Sequence, residues 1–450
     1  MKQFKIGYFA LSKASWATPE IEAVRIGMQE SLAVLPYEMV HGNALITTTA
    51  EAEELCSEMN RQEVDAIVIH FVTFPVGAII PVIAKRTKVP IIIYSTPEVP
   101  QEGGMWTQNS FCGANMAVHT LRKLGCKYAS FFGPVADAAK ILAKPLVTIK
   151  CLAELNFAKV GLVGGRVPGF YTSNCDEMRL RTLIGPEVEI IDLLEIVDTA
   201  GKLSEEEVQQ GLDVVKKSSA KCCEKVEAAL EPAGRLYMAM LKSAEKYGLT
   251  AYAVRCWPEW SDIYGIAPCA TIGMLNNLGL VSSCEGDVLG AVLMQIQASL
   301  SGGTPFFADL ISFDYDQNTA VLWHCGAAPT SICRNFEETV LNQHFRVDGG
   351  NKKGLTNEFS LKEGKVTVAQ LDEDGEGYRM LIAKGTAIDT DPFIRGNPLN
   401  IRFDCSVKSL VDTIMHQGFK HHYTMVHADI ENELLELCRW LDITPVIVGE

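Results

Sequence analysis

Asp65-Ala66-Ile67-Val68-Ile69-His70-Phe71 is largely apolar on successive residues rather than on alternate ones. A strand with one wet face alternates; a strand covered on both faces does not, so this run reads as a central strand of a parallel sheet. Pro90–Tyr94 repeats the pattern. Around these runs the spacing turns helical. Ile21, Val24, Ile26, Met28 and Leu32 mark a helix over Pro19 to Leu35, and Phe111–Leu124 reads as another that closes on Gly125. With Lys5–Ala10 and Tyr128–Phe132 as further strands, residues 1–155 form a β-α-β domain.

The same grammar resumes downstream. Lys159–Val163 is a strand, followed by Gly164-Gly165-Arg166-Val167-Pro168-Gly169-Phe170. That turn lacks the full Gly-x-Gly-x-x-Gly and the Walker Gly-Lys-Ser/Thr, so a sharp strand-to-helix turn is favoured over a nucleotide site. Ser204 with Glu207 forms a capping box that opens a long helix, expected to carry Lys216, Lys217 and Glu224 on its wet face. A second helix is expected from about Gly234 to Gly248. The strand Ala251–Cys256 ends in Trp257-Pro258-Glu259-Trp260, beyond the carboxyl end of a strand, where open α/β sheets bind ligands.

From Phe306 the character changes. Phe359–Leu361, Lys365–Leu371 and Tyr378–Ala383 alternate with Gly/Asp-rich turns and read as antiparallel structure, before a helix, Asp429–Trp440, and a strand, Thr444–Val448. The predicted fold class is α/β: two successive Rossmann-like β-α-β domains, 1–155 and 156–305, then a β-rich C-terminal domain with a terminal helix, 306–450.

Composition narrows the function. Of the 450 residues 48% are hydrophobic and 21% charged, enough for buried cores. A net charge of −15 without a polybasic run disfavours nucleic acid and anionic membranes as partners. The first residues do not match an export signal, because the apolar part, Ile6 to Leu11, is short and contains Gly7 and Tyr8. No apolar run reaches transmembrane length, so a cytoplasmic location is expected. The 14 cysteines form no Cys-x-x-Cys pair, and they are expected to be reduced, partly buried small hydrophobes.

The chemistry concentrates late in the chain. Cys284-Glu285-Gly286-Asp287 precedes a helix that runs through Val288, Leu289, Val292, Met294 and Ile296, and capping that helix would by itself account for Glu285. Asp309 lies inside the apolar run Phe306–Phe313, where a carboxylate must be paired, hydrogen-bonded or metal-bound. His324 follows the apolar Ala320–Leu322, and a lone histidine there is more often a satisfied core residue. Lys420-His421-His422 with His427 reads equally well as a solvated polar loop. Two carboxylates and an imidazole in separate elements suit six-coordinate Mn²⁺ or Mg²⁺ better than thiolate zinc.

Taken together these blocks resemble the L-fucose/L-arabinose isomerase superfamily. The resemblance rests on Glu285-Gly286-Asp287 opening a helix, Asp309 after the turn Gly302-Gly303-Thr304-Pro305-Phe306-Phe307, and His421-His422 with His427 five residues on. It implies a metal-dependent aldose–ketose isomerase working through a cis-enediol(ate) on an open-chain sugar. Glu285, Asp309 and His422 match the metal ligands, with His324 an additional candidate, and Glu285 and Asp309 match the proton-transferring pair. It further implies a divalent ion, Mn²⁺ first with Mg²⁺ or Co²⁺ as alternatives, no organic cofactor, and a homo-oligomer (trimer or hexamer) with sites near subunit interfaces. Trp16, Trp257, Glu259 and His421 are the candidate sugar contacts. Lys13, Arg255 and Arg334 are candidates to recognise an anionic substituent. The rival readings are a non-catalytic sugar-binding protein and a metal-dependent epimerase or aldolase using a similar enediolate.

Overall fold

The computed structural model describes residues 3–42, 44–98, 104–345 and 354–448. The chain divides into two compact units, Met1–Ala153 and Glu154–Glu450.

The first unit is a five-stranded parallel sheet. Its elements are β1 (Lys5–Leu11), α1 (Pro19–Leu32), β2 (Glu38–His41), α2 (Thr49–Arg61), β3 (Ala66–Phe71), α3 (Ile79–Arg86), β4 (Ile91–Ser95), α4 (Ser110–Lys123), β5 (Tyr128–Phe132) and α5 (Ala138–Phe157), with strand order β2-β1-β3-β4-β5. On one face Phe9, Ile67, Ile69 and Ile93 pack with Met59, Ile83 and Leu121 from α2, α3 and α4. The alternate residues Tyr8, Val68, His70, Ile92 and Tyr94 are buried as well, so the successive apolar residues of β3 and β4 reflect a sheet covered twice.

In the second unit β6 (Lys159–Val163), α6 (Glu177–Leu183), β7 (Glu187–Ile191), α7 (Leu193–Gly201), α8 (Glu205–Lys217), β8 (Lys221–Cys222), α9 (Glu227–Tyr247), β9 (Ala251–Val254), α10 (Cys269–Leu278), β10 (Val281–Cys284) and α11 (Val288–Ser301) follow in order. β10-β9-β6-β7 make a parallel sheet, so the loops after β6, β9 and β10 leave it at the same end. The capping box at Ser204 and Glu207 is present and starts α8. Two expectations are corrected. α8 ends at Lys217, leaving Glu224 in a separate short turn, and α9 begins at Glu227 instead of near Gly234. Gly234 is no helix start: it meets Gly211 of α8 where a Cβ on either residue would lie within 2.6 Å of the other's backbone, and the glycine pair sets how closely the helices cross.

The remaining elements are β11 (Phe306–Asp314), β12 (Thr319–His324), β13 (Val340–Gln343), β14 (Leu355–Glu358), β15 (Gly364–Glu373), β16 (Tyr378–Ile388), β17 (Asn397–Phe403), α12 (Val407–Gln417), β18 (His422–Val426), α13 (Glu431–Leu441) and β19 (Thr444–Ile447). Seven strands form a sheet in the order β15-β18-β11-β12-β17-β16-β19, and β15 also pairs with β16. That extra pairing closes six antiparallel strands into a ring around Leu322, Val368, Leu381, Leu399, Ile401 and Met425, and closure removes free edges. β13 joins β14 and the short β8 in a separate three-stranded sheet.

The segment weighed as a wet loop around His422 is β18, and all five of its residues are buried. No described helix is long and apolar enough to cross a membrane.

Candidate active site

Glu285 stands on a turn that its sequence forces into an unusual shape. Residues 285 and 286 both take positive φ, +59° and +70°, as the chain leaves β10 for α11. Non-glycine residues seldom adopt that region. At position 286 the choice is steric too, since a Cβ would lie 2.5 Å from the Gly165 carbonyl oxygen. The turn is pinned by Gly286 N–H donating to Val254 O and Asp287 N–H donating to Cys284 O. The helix cap expected of Glu285 falls to Asp287, whose Oδ1 accepts from Gly290 N at 2.9 Å. Glu285 is thereby left over from capping, with its side chain turned toward the second sheet.

There it meets His422. Nε2 of His422 lies 2.8 Å from Glu285 Oε2, and Nδ1 lies 2.9 Å from Asp287 Oδ2. β18 and β11 run antiparallel with Asp309 directly opposite His422, and Asp309 is in turn opposite Trp323 of β12. Strand register therefore brings the second carboxylate beside the imidazole. Lys420 Nζ, almost fully enclosed, sits 3.6 Å from Asp287 Oδ1.

The electrostatics are uneven. Burial disfavours charge on Asp287, but Lys420 and His422 outweigh it and hold this carboxyl well below the usual range. For Glu285 burial is likewise overcome, by the His422 hydrogen bond and charge and by His324, and the net shift is downward. Asp309 goes the other way, because burial outweighs the attraction of His324 and His422. Its Oδ1 is enclosed and has no hydrogen-bond partner. Burial opposes protonation of His422, yet its two carboxylate neighbours push its pKa up to about 9. When protonated, the ring can donate to both acids.

A cavity of about 330 Å³ opens at the carboxyl end of the parallel sheet. Phe170, Trp257, Glu285, Asp309, Trp323 and His324 are among its walls. Trp257 Nε1 points at Glu285 Oε1 from 3.4 Å, and the Phe170 ring stands edge-on to both Trp257 and His421. His421 is half exposed, with Nε2 4.0 Å from Glu285 Oε2 and its ring 3.9 Å from that of His422. His324 is buried at the end of β12 with Nδ1 3.6 Å from Cys325 Sγ.

Other candidate contacts have partners of their own. Glu259 is ion-paired to Arg255, whose guanidinium also donates to Gly164 O, and Arg334 is held by Glu338 and Asp389. Trp16 and Lys13 belong to the first unit, where the ammonium lies 5.2 Å from the indole ring. Asp287 and Lys420 escaped the sequence reading, the first because it passes for an ordinary cap and the second because its burial depends on β18.

Glu285, His421 and His422 each offer a donor atom within 4.8 Å of the others, a grouping able to hold a metal ion. Asp309 adds an enclosed carboxylate oxygen with nothing to bind it. An oxygen-rich set with imidazole and an orphaned acid suits a hard or borderline divalent ion. Asp287 supplies the carboxylate that commonly fixes a ligating histidine through its other nitrogen.

Residues 7–150 match the family described as fucose/sulfoquinovose isomerase, N-terminal domain, and residues 322–448 match L-fucose isomerase, C-terminal domain. Among its relatives, a sulfoquinovose isomerase of Alkalicoccus urumqiensis is 32% identical over 389 residues, covering 85% of this chain and 86% of the relative. Sulfoquinovose isomerases of Priestia aryabhattai and Clostridium sp. (strain MSTE9) are 29% and 27% identical, covering 95% and 98% of this chain and 96% and 98% of theirs. A solved ABC-transporter solute-binding protein from Agrobacterium vitis, bound with α-D-tagatopyranose, is 12% identical over 67% of this chain and 90% of its own. Its TM-score is 0.17, too low to bear on fold or function.

Proposed function

This chain belongs to the fucose/sulfoquinovose isomerase family and is a sugar aldose–ketose isomerase; on that premise we propose that it interconverts sulfoquinovose, a sulfonated aldose, with the corresponding 2-ketose in a divalent-metal-dependent reaction. The observation that carries the metal-site reading is the register pair Asp309–His422 set beside Glu285, with Asp287 behind the imidazole.

Glu285, Asp309 and His422 would hold the ion, Mn²⁺ by preference, with His421 and His324 adjacent. When bound it supplies a Lewis acid that polarises the sugar carbonyl and its neighbouring hydroxyl. The chain's own residues do the rest. Glu285 and Asp309 carry the proton between C2 and C1 as base and acid, so that the sugar passes through a cis-enediol. The contrast in their surroundings, one carboxyl stabilised as an anion and one disfavoured, is the kind of separation that gives two acids different roles. Trp257 and Phe170 present ring surfaces that orient the sugar and limit water. Asp287 keeps the His422 ring in one orientation.

For the sulfonate, Arg166 is the candidate within the second unit. It follows the Gly164-Gly165 turn, its backbone packs against Gly286, and its guanidinium lies 4.9 Å from the Tyr171 ring. Among the described residues it has no ion-pair partner, unlike Arg255 and Arg334. Trp16 would reach the sugar from a neighbouring copy in a homo-oligomer.

The test is direct. Metal-stripped and Mn²⁺-reconstituted protein is incubated in D₂O with sulfoquinovose, fucose, arabinose and glucose, and NMR follows isomer and label at C1 and C2. Turnover of sulfoquinovose that needs the ion and is lost in Glu285→Gln and Asp309→Asn is expected. Undiminished turnover in either variant would sink the assignment, and a preference for a neutral sugar would move the substrate.

A further inference from the structure

We propose that Cys269, Cys325 and His344 form a site for a thiophilic divalent ion, Zn²⁺ or Cd²⁺, in the wall of the catalytic cavity and separate from the oxygen-rich ligand set. The three residues come from different elements. Cys269 opens α10, Cys325 follows β12 and His344 follows β13. Both thiols are free, and their sulfurs are 3.7 Å apart. That spacing is the edge of a tetrahedron with bonds of about 2.3 Å, the usual Zn–S length, for which the edge comes to about 3.8 Å. A ring nitrogen of His344 completes a trio whose donor atoms all lie within 4.8 Å of one another.

Packing alone does not account for this trio. A buried cysteine on its own is an ordinary small hydrophobe. Two sulfurs and an imidazole converging from three elements make a soft donor set, which selects Zn²⁺ or Cd²⁺ over Mn²⁺ and Mg²⁺. All three residues line the cavity, so a fourth position faces open volume, as in zinc sites that keep one exchangeable ligand. An ion held there would occupy space beside Asp309 and Glu285 and would obstruct the sugar. That consequence rests on the isomerase site proposed above; the binding itself does not.

The experiment uses the full chain with its oxygen-rich site first loaded with Mn²⁺. One equivalent of Co²⁺ should then produce a near-ultraviolet thiolate-to-cobalt charge-transfer band with the intense visible bands of a tetrahedral ion. Zn²⁺ should displace it, and the zinc X-ray absorption edge should show two sulfur neighbours at about 2.3 Å. Cys269→Ser and Cys325→Ser should each weaken Zn²⁺ binding on the order of 100-fold. Glu285→Gln and Asp309→Asn should keep the band while losing turnover, which separates failure of this site from failure of the catalytic one. A zinc shell of oxygen and nitrogen only overturns the proposal without reliance on any variant. So does a band that survives in both serine variants, or one that vanishes in Glu285→Gln.

Discussion

Asp287 and Lys420 form a buried pair, 3.6 Å apart, behind the ring that Asp287 also holds through Nδ1 of His422. One carboxylate thus serves a helix cap, a lysine and an imidazole. Asp287→Asn keeps the capping oxygen but removes the counter-charge. Divalent metal affinity should fall about 10–100-fold, and calorimetric titration measures it. The variant should also lose about 3 kcal/mol of stability, because Lys420 becomes an uncompensated buried charge. Adding Lys420→Met should restore much of the stability and none of the affinity. Joint recovery would mean that Asp287 acts on the fold alone.

Asp309 carries an enclosed oxygen without a partner and a pKa raised chiefly by burial. Asp309→Asn should therefore stabilise the metal-free protein by about 1–2 kcal/mol at neutral pH, while lowering kcat by about 10²–10⁴-fold in the Mn²⁺-loaded form. Thermal unfolding and turnover are measured on the same preparation. A loss of both would show that Asp309 is structural.

Arg166→Gln should raise KM for the sulfonated sugar by about tenfold or more and leave any turnover of neutral sugars unchanged, the loss of one charge-assisted contact. An equal effect on both substrates would place Arg166 outside anion recognition.

At Gly286 a methyl group would meet the Gly165 carbonyl oxygen at 2.5 Å on a backbone already at φ +70°. Gly286→Ala should cost more than about 2 kcal/mol in denaturant unfolding and displace Glu285. Near-wild-type stability would show that the turn can relax.

His70 in the first unit is fully buried, accepts or donates one hydrogen bond at Tyr8 Oη, 2.8 Å away, and leaves Nε2 without a partner. Burial lowers its pKa from 6.5 to about 3. The folded chain refuses a proton that the unfolded chain accepts, so stability is complete above pH 6.5 and declines as pH falls toward 3. The loss by pH 3 is on the order of 5 kcal/mol. His70→Gln should flatten that part of the pH–stability profile, read by urea unfolding between pH 7 and 4.

Where successive residues were apolar, the sequence was legible. Ala66–Phe71 and Ile91–Ser95, buried at every residue, appear as strands within one residue of the limits their patterning indicated, because strand order imposes no extra condition on a buried run. Glu285, Asp309 and His422 could be singled out as chemistry-bearing, but their meeting depends on the β11–β18 register, which no local pattern encodes. For the same reason β18 resembled a wet loop: a strand flanked by His421 and His427 and opened by His422 looks polar until its partners are known. The cysteines at 269 and 325 had no diagnostic spacing, since 56 positions separate them.

β18 lies between β15 and β11, yet it is made after every other strand of the closed ring. During synthesis Glu285, Asp287 and Asp309 therefore leave the ribosome long before the imidazole and ammonium that balance them. Until residues 420–426 slot into the gap, the nascent chain carries a cluster of unneutralised acids and two unsatisfied strand borders, so this interval is when a chaperone would matter most.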